Sequence, residues 1–246
     1  MKLKHINAAL AAGAMAMGAG AMQSVMAEGD SPHSVSANIG VVSNYIWRGQ
    51  TQTDNQPAIQ GGIDYAHASG FYAKTWLSNV DFLDAQGNDT NYELDLTTGF
   101  GGAINDDLSY DLNLIYIAYP DGRDLDLAEL GGSVTYKWLT TGIAYTVYGQ
   151  GDNAPGVADG DALYIQGDLY YHAALDFALP FKLGLNLHGG YYDFIYNDGG
   201  HDYGHWGATV SREAGDFGTF SLNYDQIGRD TYDEDPKLWI GWNKEF

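Results

Sequence analysis

Apolar and polar side chains alternate along several stretches of the chain beyond residue 33. The clearest stretch runs from Tyr92 to Gly102, and the same period of two recurs over residues 34–49, 108–116 and 181–188. This period is typical of β-strands with one apolar and one polar face. Turn-forming residues separate the stretches, as in HASG (67–70), INDD (104–107), YPDG (119–122), NDGG (197–200) and EAGD (213–216). The spacing predicts an all-β antiparallel fold of about twelve strands.

The polar face of the predicted strands favours a membrane barrel over a soluble β-protein. In a soluble sandwich or barrel the outer face usually mixes Lys, Glu, Thr and Ser. Here the polar face is rich in Gly, Asn, Asp and Thr and poor in Lys, which suits a confined, wet lumen. The predicted fold class is a single transmembrane antiparallel β-barrel, and a soluble periplasmic β-protein is the alternative.

Aromatic residues gather near the ends of the predicted strands. The pairs are Tyr45 with Trp47, Phe71 with Tyr72, Tyr116 with Tyr119, Tyr136 with Trp138, and Tyr191 with Tyr192. Amphipathic rings at both headgroup boundaries form the girdles of transmembrane barrels, and we expect these pairs to do so. Core aromatics of an ordinary β-sandwich are the alternative explanation.

The first 27 residues have the three-part layout of a secretory signal peptide. Lys2 and Lys4 precede a run of Ala, Met, Leu and Gly, and the small residues Val25 and Ala27 follow, so cleavage is expected after Ala27. A buried Ala-rich helix or a membrane anchor is the alternative. The predicted organisation is a signal peptide at 1–27, a short segment at 28–33 and a barrel at 34–246, located in the bacterial outer membrane.

Composition and charge narrow the classes of partner. The formal net charge is −21, from 11 Lys plus Arg against 32 Asp plus Glu, which makes nucleic acid a poor partner. The 33 Gly and 19 Tyr are not the composition of a disordered acidic chain. Beyond the signal, no apolar run approaches the about 18 residues that a membrane-spanning helix requires. The acidic residues are therefore expected on a folded β scaffold.

The chain ends in LWIGWNKEF, which places Leu238, Ile240, Trp242 and Phe246 on one face of a predicted strand. Outer-membrane barrels commonly end in a strand whose terminal aromatic residue is read by the barrel-insertion machinery. We expect Phe246 to serve that role, with outer-membrane lipid and lipopolysaccharide as the surrounding partners. Lys244 departs from the usual pattern, because an aromatic or apolar residue is common at that position.

Residues 35–82 resemble the N-terminal part of proteins of the TorF family. This is a proteobacterial family of outer-membrane barrels that are named porins and are largely uncharacterised. The matching elements are the Tyr45-x-x-Arg48-Gly49 corner, Thr53-Asp54, Pro57-Ala58-x-Gln60-Gly61-Gly62, Ser69-Gly70-Phe71-Tyr72-Ala73 and Ser78-Asn79-Val80-Asp81-Phe82. The later chain follows the family more loosely. The resemblance implies a single outer-membrane barrel with a channel function, and it transfers no catalytic or substrate-binding residues.

In a barrel, the alternation directs four charged residues toward the lumen, namely Arg48, Glu93, Asp95 and Asp111. Fixed charges in a lumen select ions by sign, so the excess of carboxylates favours cations and neutral solutes. Arg48 follows an aromatic strand end and is expected to pair with luminal carboxylates at a constriction. A structural ion pair at a strand-to-loop corner is the alternative role for Arg48.

The predicted function is passive diffusion of small solutes or ions through a porin, without a cofactor, a metal or an enzymatic activity. A non-conducting barrel that acts as an adhesin or stabilises the envelope is the alternative. A lipid-modifying enzyme would need His201, Asp202, His205 and Ser211 to meet, and no G-x-S-x-G motif supports such a site. Acidic loop residues could bind Ca²⁺, although none has the spacing of an EF-hand: Asp121, Asp124, Asp126, Asp159, Asp161, Asp230, Asp233, Glu234 and Asp235.

Overall fold

The computed structural model describes residues 31–84, 86–158, 160–196, 200–228 and 234–246. The predicted signal peptide lies outside these residues. The strands are β1 (His33–Val42), β2 (Ile46–Trp47), β3 (Gln50–Thr51), β4 (Ala58–His67), β5 (Phe71–Leu83), β6 (Asp89–Asn105), β7 (Leu108–Ala118), β8 (Leu127–Tyr136), β9 (Leu139–Gly149), β10 (Leu169–Leu179), β11 (Leu183–Asp193), β12 (Tyr203–Glu213), β13 (Thr219–Ile227) and β14 (Lys237–Glu245). In the described ranges, no helix has the length and apolar character needed to cross a membrane.

Twelve of these strands form one closed antiparallel barrel, in which each strand pairs with its neighbours in chain order and β1 pairs with β14. The closing pair runs from Asn38 opposite Glu245 to Val42 opposite Gly241. The backbone groups of Ala37 and Phe246 extend it with two further hydrogen bonds of 3.2 and 2.8 Å. The predicted transmembrane barrel of about twelve strands is confirmed, and its first strand begins at His33.

The two faces of the barrel wall differ in polarity as the alternation predicts. Large apolar side chains on the outer face are exposed, including Val35, Ile59, Leu112, Leu130 and Ile240. The residues between them face the interior and are mostly polar or small. A closed barrel satisfies the backbone groups of its strands internally, so this arrangement can place an apolar surface against lipid.

The connections differ in length at the two ends of the barrel. At one end, called the turn end, the strands are joined by residues 68–70, 106–107, 137–138, 180–182 and 214–218. At the other, called the loop end, they are joined by residues 43–57, 84–88, 119–126, 150–168, 194–202 and 228–236. The chain enters the barrel and leaves it at the turn end.

Two strand predictions are wrong at their ends. The strand predicted over residues 34–49 ends at Val42, and the chain then turns into the barrel interior. The stretch predicted over 181–188 begins as a strand only at Leu183, because Phe181 and Lys182 lie in a turn with φ of 64° and 59°. In both places the alternation of side chains continues beyond the point at which the backbone leaves the sheet.

The aromatic pairs divide between the two faces of the wall. Phe71, Tyr136 and Tyr191 are exposed on the outer face, as a girdle requires. Trp138, the partner of Tyr136, is exposed as well, whereas Tyr72 and Tyr192, the partners of Phe71 and Tyr191, are buried. Tyr119, Tyr45 and much of Trp47 are also buried. The prediction that every pair belongs to a girdle is therefore wrong. In the pairs Phe71–Tyr72 and Tyr191–Tyr192 the reason is that adjacent residues of a strand point to opposite faces.

The assignment of faces predicts how the wall tolerates charge. Leu112 is 57% exposed on the outer face near the middle of β7. We expect Leu112→Arg to destabilise the barrel in lipid by about 2–4 kcal/mol, because arginine near the bilayer midplane loses its hydration. Urea titration of the barrel folded into lipid vesicles measures this loss.

Ser133 provides the matched control, since it faces the interior directly opposite Asp111 on the neighbouring strand. We expect Ser133→Arg to leave the free energy of unfolding nearly unchanged, because the guanidinium lies beside a carboxylate and water. Equal losses from the two variants would contradict the assignment of the faces.

Candidate functional site

The connection between β1 and β4 folds into the barrel at the loop end. Residues 43–57 are called the luminal hairpin, and the pairs Ile46–Thr51 and Trp47–Gln50 form its two short strands. Arg48 and Gly49 form the tip, with φ of 48° and 85°. Positive φ at both central residues is the geometry of a tight two-residue turn, and glycine adopts it without steric cost.

Polar groups within the luminal hairpin fix its shape. Asn44 Oδ1 accepts hydrogen bonds from the hydroxyls of Thr51 (2.6 Å) and Thr53 (3.3 Å). Thr53 Oγ1 in turn accepts from the backbone N–H of Tyr45 (3.2 Å), and Thr53 is fully buried. These short-range bonds allow a segment with few neighbouring strands to keep one conformation.

Arg48 at the tip anchors the luminal hairpin to the barrel wall. It is 1% exposed, and its two terminal nitrogens donate to the two carboxylate oxygens of Glu129 on β8, Nη1 at 2.8 Å from Oε1. The guanidinium carbon lies 4.4, 4.1 and 4.9 Å from the ring centres of Trp47, Tyr170 and Tyr192. This combines a bidentate ion pair with cation–π contacts.

Two further contacts hold the luminal hairpin against the wall. Tyr45 Oη donates to Glu93 Oε1 on β6 at 2.9 Å. Gln50 Nε2 donates to the hydroxyls of Tyr203 on β12 (2.8 Å) and Tyr164 in the loop at 150–168 (3.2 Å). The hairpin is therefore bound to opposite sides of the barrel.

Apolar packing around the luminal hairpin fills the interior at the loop end. Trp47 of the hairpin packs against two buried clusters, as does Tyr164 of the loop at 150–168. One cluster consists of Val42, Tyr45, Ala58, Val80, Ile117, Tyr119 and Leu127, and the other of Tyr170, Tyr192, Phe194, Tyr203 and Ile227. The hairpin is therefore packed on both sides and occupies the interior of the barrel at the loop end.

The structure divides the four predicted luminal residues between the barrel wall and the luminal hairpin. Glu93, Asp95 and Asp111 face the interior from β6 and β7, as the alternation predicts. Arg48 is also inside the barrel, but on the luminal hairpin, so its expected place at the end of a wall strand is wrong. The expected pairing of Arg48 with a luminal carboxylate does occur, and the partner is Glu129.

The acidic residues differ in their surroundings along the barrel axis. Asp111 lies toward the turn end and accepts hydrogen bonds from Tyr72 Oη (2.9 and 2.8 Å) and Asn113 Nδ2 (2.8 Å). Asp95 lies two residues from Glu93 on the same face, and its Oδ1 is buried with no hydrogen-bond partner among the described residues. Of the three inward-facing carboxylates of Glu93, Asp95 and Glu129, that of Glu129 forms the ion pair with Arg48.

Sequence reasoning missed Glu129, Tyr170 and Tyr192, which complete the surroundings of Arg48. It also missed a polar ladder across the wall. In this ladder His188 Nε2 lies 2.9 Å from Asp225 Oδ1, and Trp239 Nε1 donates to Asp225 Oδ2 at 2.7 Å. Alternation assigns all of these residues to the inner face, but it cannot show which of them meet across distant strands.

The residues of the enzyme alternative are not brought together. His205 Nε2 lies 2.7 Å from Tyr170 Oη, whereas Ser211 is six residues farther along the same strand. Six residues of strand correspond to about 20 Å. His201 lies outside the strand, and its ring stacks on Tyr196 at 5.5 Å. This geometry does not form a nucleophile, a base and an orienting acid in mutual contact.

Several acidic loop residues accept hydrogen bonds from neighbouring protein groups. Asp84 accepts hydrogen bonds from the Asn88 side chain and from the backbone N–H groups of Asn88, Gln86 and Arg123, and these bonds lower the pKa of Asp84. Asp126 likewise accepts from Tyr116 Oη at 2.7 Å. No group of three potential metal ligands occurs within the described part of the chain. Asp159, Asp230 and Asp233 of the Ca²⁺ alternative lie outside the described residues.

A family model for bacterial proteins of unknown function, designated Gcw_chp, matches residues 26–236. The chain belongs to this family. The matched range contains residues 35–82, which carry the resemblance to the TorF family. The matching family model is designated Gcw_chp, so the TorF name stays a prediction. No curated protein matches this member of the Gcw_chp family.

Solved porin structures have the same fold as this Gcw_chp chain. The KdgM porin gives a TM-score of 0.55 at 7% sequence identity, covering 86% of this chain and 98% of the porin. The KdgM porin in complex with disordered oligogalacturonate gives 0.53 at 7% identity, covering 86% and 97%. The NanC porin in a rhombohedral crystal form gives 0.50 at 11% identity, covering 86% and 98%. At these identities the likeness establishes the barrel fold alone.

Because Arg48 and Glu129 form a buried ion pair, we expect the loss of one charge to lower the stability strongly and the loss of both charges to restore most of it. Arg48→Gln leaves Glu129 buried without its counter-charge, so we expect unfolding to become easier by about 3–5 kcal/mol. Arg48→Gln combined with Glu129→Gln removes both charges and is expected to recover most of that loss. Urea titration with a double-mutant cycle measures the coupling, and equal losses from the single and double variants would contradict it.

Proposed function

We propose that the chain is a porin of the bacterial outer membrane, which is exported by a signal peptide at residues 1–27 and allows passive diffusion of small solutes. The observation that carries this proposal is a closed barrel with an apolar outer face and a polar inner wall. The porin fold of the KdgM and NanC structures supports it. By analogy with other outer-membrane barrels, the loop end faces the exterior and the turn end faces the periplasm.

The charge of the interior favours cations and neutral solutes over anions. Glu93, Asp95, Asp111 and Glu129 face the lumen, and Arg48 compensates only one of these charges. Lys74 lies 4.0 Å from a fifth carboxylate, that of Asp64. A lumen with this excess of negative charge repels an acidic oligosaccharide such as the oligogalacturonate present with the KdgM porin. The proposed solutes therefore differ in charge from that ligand.

The luminal hairpin limits the proposed passage to small solutes. A barrel of twelve strands lies between small barrels filled by side chains and the wide porins of about 16–18 strands. The packed side chains around Trp47 reduce the lumen further at the loop end. Only a narrow path, or one opened by movement of the hairpin, is compatible with this packing.

The same packing supports a second candidate function. A barrel whose hairpin never leaves the lumen would conduct nothing and would serve the envelope as a structural protein or an adhesin. In both cases the barrel would contact outer-membrane lipid and lipopolysaccharide, and Phe246, which is 69% exposed beside β1, would be available to the insertion machinery. Conductance measurements distinguish the two functions.

Excision of the luminal hairpin is the direct test of passage. Val42 and Ala58 are direct partners in the β1–β4 register, so an Asn-Gly turn can replace residues 43–57 without shifting the wall. We expect a severalfold larger single-channel conductance in planar bilayers, and a stronger preference for cations because Arg48 is lost while Glu93 and Glu129 become hydrated.

The matched control places the same Asn-Gly turn at the opposite end, in place of Lys137 and Trp138 between the paired residues Tyr136 and Leu139. We expect its conductance to equal that of the unmodified protein. Silence from a correctly folded, excised barrel would reject the porin and favour the non-conducting function. Equal conductance before and after excision would show that the hairpin does not constrict the lumen.

Ion selectivity tests the proposed role of the acidic wall. We expect Asp95→Asn to reduce the preference for cations, because it removes an inward carboxylate without changing side-chain size. The reversal potential in a salt gradient measures this preference, with Asp81→Asn, an exposed residue at the end of β5, as the control. An unchanged reversal potential for both variants would show that Asp95 does not line the path.

A further inference from the structure

The surroundings of Arg48 belong to two separable parts of the protein. Glu129, Tyr170 and Tyr192 lie on β8, β10 and β11 of the barrel wall, whereas Arg48 and Trp47 lie on the luminal hairpin. Tyr192 Oη donates to Glu129 Oε1 at 3.1 Å, so the wall itself orients the carboxylate. The wall groups are thus held in position by bonds that do not involve Arg48.

The chemistry of this wall site is specific for a guanidinium group. Glu129 offers two oxygens to the two terminal nitrogens of the planar fork, and the Tyr170 and Tyr192 rings lie 4.1 and 4.9 Å from its central carbon. A planar cation with parallel N–H donors satisfies both requirements at once, whereas an ammonium group acts as a point charge. Aromatic faces add attraction for a desolvated cation.

We propose that Glu129, Tyr170 and Tyr192 form a binding site for the guanidinium group of a solute, and that Arg48 is the tethered occupant of this site. Arg48 then closes the lumen by occupying the position that such a solute would take. The binding site stands on its own geometry, and only its part in passage rests on the proposed porin function.

The backbone at the tip of the luminal hairpin allows the side chain of Arg48 to be removed from the wall site without strain. Arg48 has φ of 48°, so Arg48→Gly places glycine where the backbone favours it. A Cβ on Gly49 would lie 2.7 Å from His205 Cβ, which shows how closely the tip approaches the wall. Trp47 and Gln50 retain their contacts in this variant, so the vacated space keeps the size of a guanidinium group.

The experiment titrates methylguanidinium chloride at millimolar concentration into the refolded full-length Arg48→Gly barrel in detergent, with sodium chloride matching the ionic strength. Calorimetry measures binding, and the temperature at which the folded band is lost in gels measures stability. We expect saturable binding and a stability that rises with ligand concentration, as for any ligand of the folded state. Methylammonium is expected to bind at least about tenfold more weakly, because it lacks the bidentate fork.

Comparison with two further proteins and with methylammonium makes the result decisive. The unmodified protein is expected to bind no methylguanidinium, because Arg48 occupies the site, and Arg48→Gly with Glu129→Gln is expected to bind none either. The proposal would be overturned if methylguanidinium bound equally well with and without Glu129, or if methylammonium bound as strongly as methylguanidinium. It would also be overturned if a folded Arg48→Gly barrel bound no methylguanidinium.

A second variant covers the case in which Arg48→Gly does not fold. The barrel with Asn-Gly in place of residues 43–57 retains all three wall residues, and it is expected to bind methylguanidinium more weakly because Trp47 is absent. No binding by this variant in its folded form would overturn the proposal. None of these readouts uses current, so a barrel that fails to conduct can still show the site.

Discussion

The pairing of β1 with β14 is the constraint on which the rest of the structure depends. Without it, two strand edges would expose their backbone N–H and C=O groups to lipid, where water cannot satisfy them. Ala37 and Phe246 complete this pairing at the turn end, and Val42 opposite Gly241 completes it at the loop end. Once the wall is closed, its interior is a defined space, and a polar segment between β1 and β4 can fold inside it.

Burial of Arg48 makes the closed wall and the luminal hairpin depend on each other. A guanidinium removed from water is stable only when its charge and its donors are satisfied, and a carboxylate such as Glu129 has the same requirement. Each group therefore satisfies the other across a long separation in sequence, and the Trp47, Tyr170 and Tyr192 rings exclude water from the pair. Removal of one charge would leave the other buried without a partner.

The barrel wall could be predicted from the sequence because each strand reports its two faces locally. The alternation around Tyr92 and Leu112 is sufficient to identify strands and to direct Glu93, Asp95 and Asp111 inward. The position of Arg48 could not be predicted in this way, since the alternation continues past Val42 into a hairpin that pairs with itself. Contacts such as Arg48 with Glu129 join residues far apart in the chain, and no local pattern records such a meeting.

The electrostatics of the interior connect closure of the lumen with selectivity. While the luminal hairpin is in place, Arg48 compensates the charge of Glu129, and apolar side chains are packed around the same region. If the proposed passage opens by movement of the hairpin, the positive charge of Arg48 leaves with it and water reaches the carboxylates. Under the proposed function, a change that opens the path also makes it more negative, so we expect an open lumen to prefer cations more strongly than a partly open one.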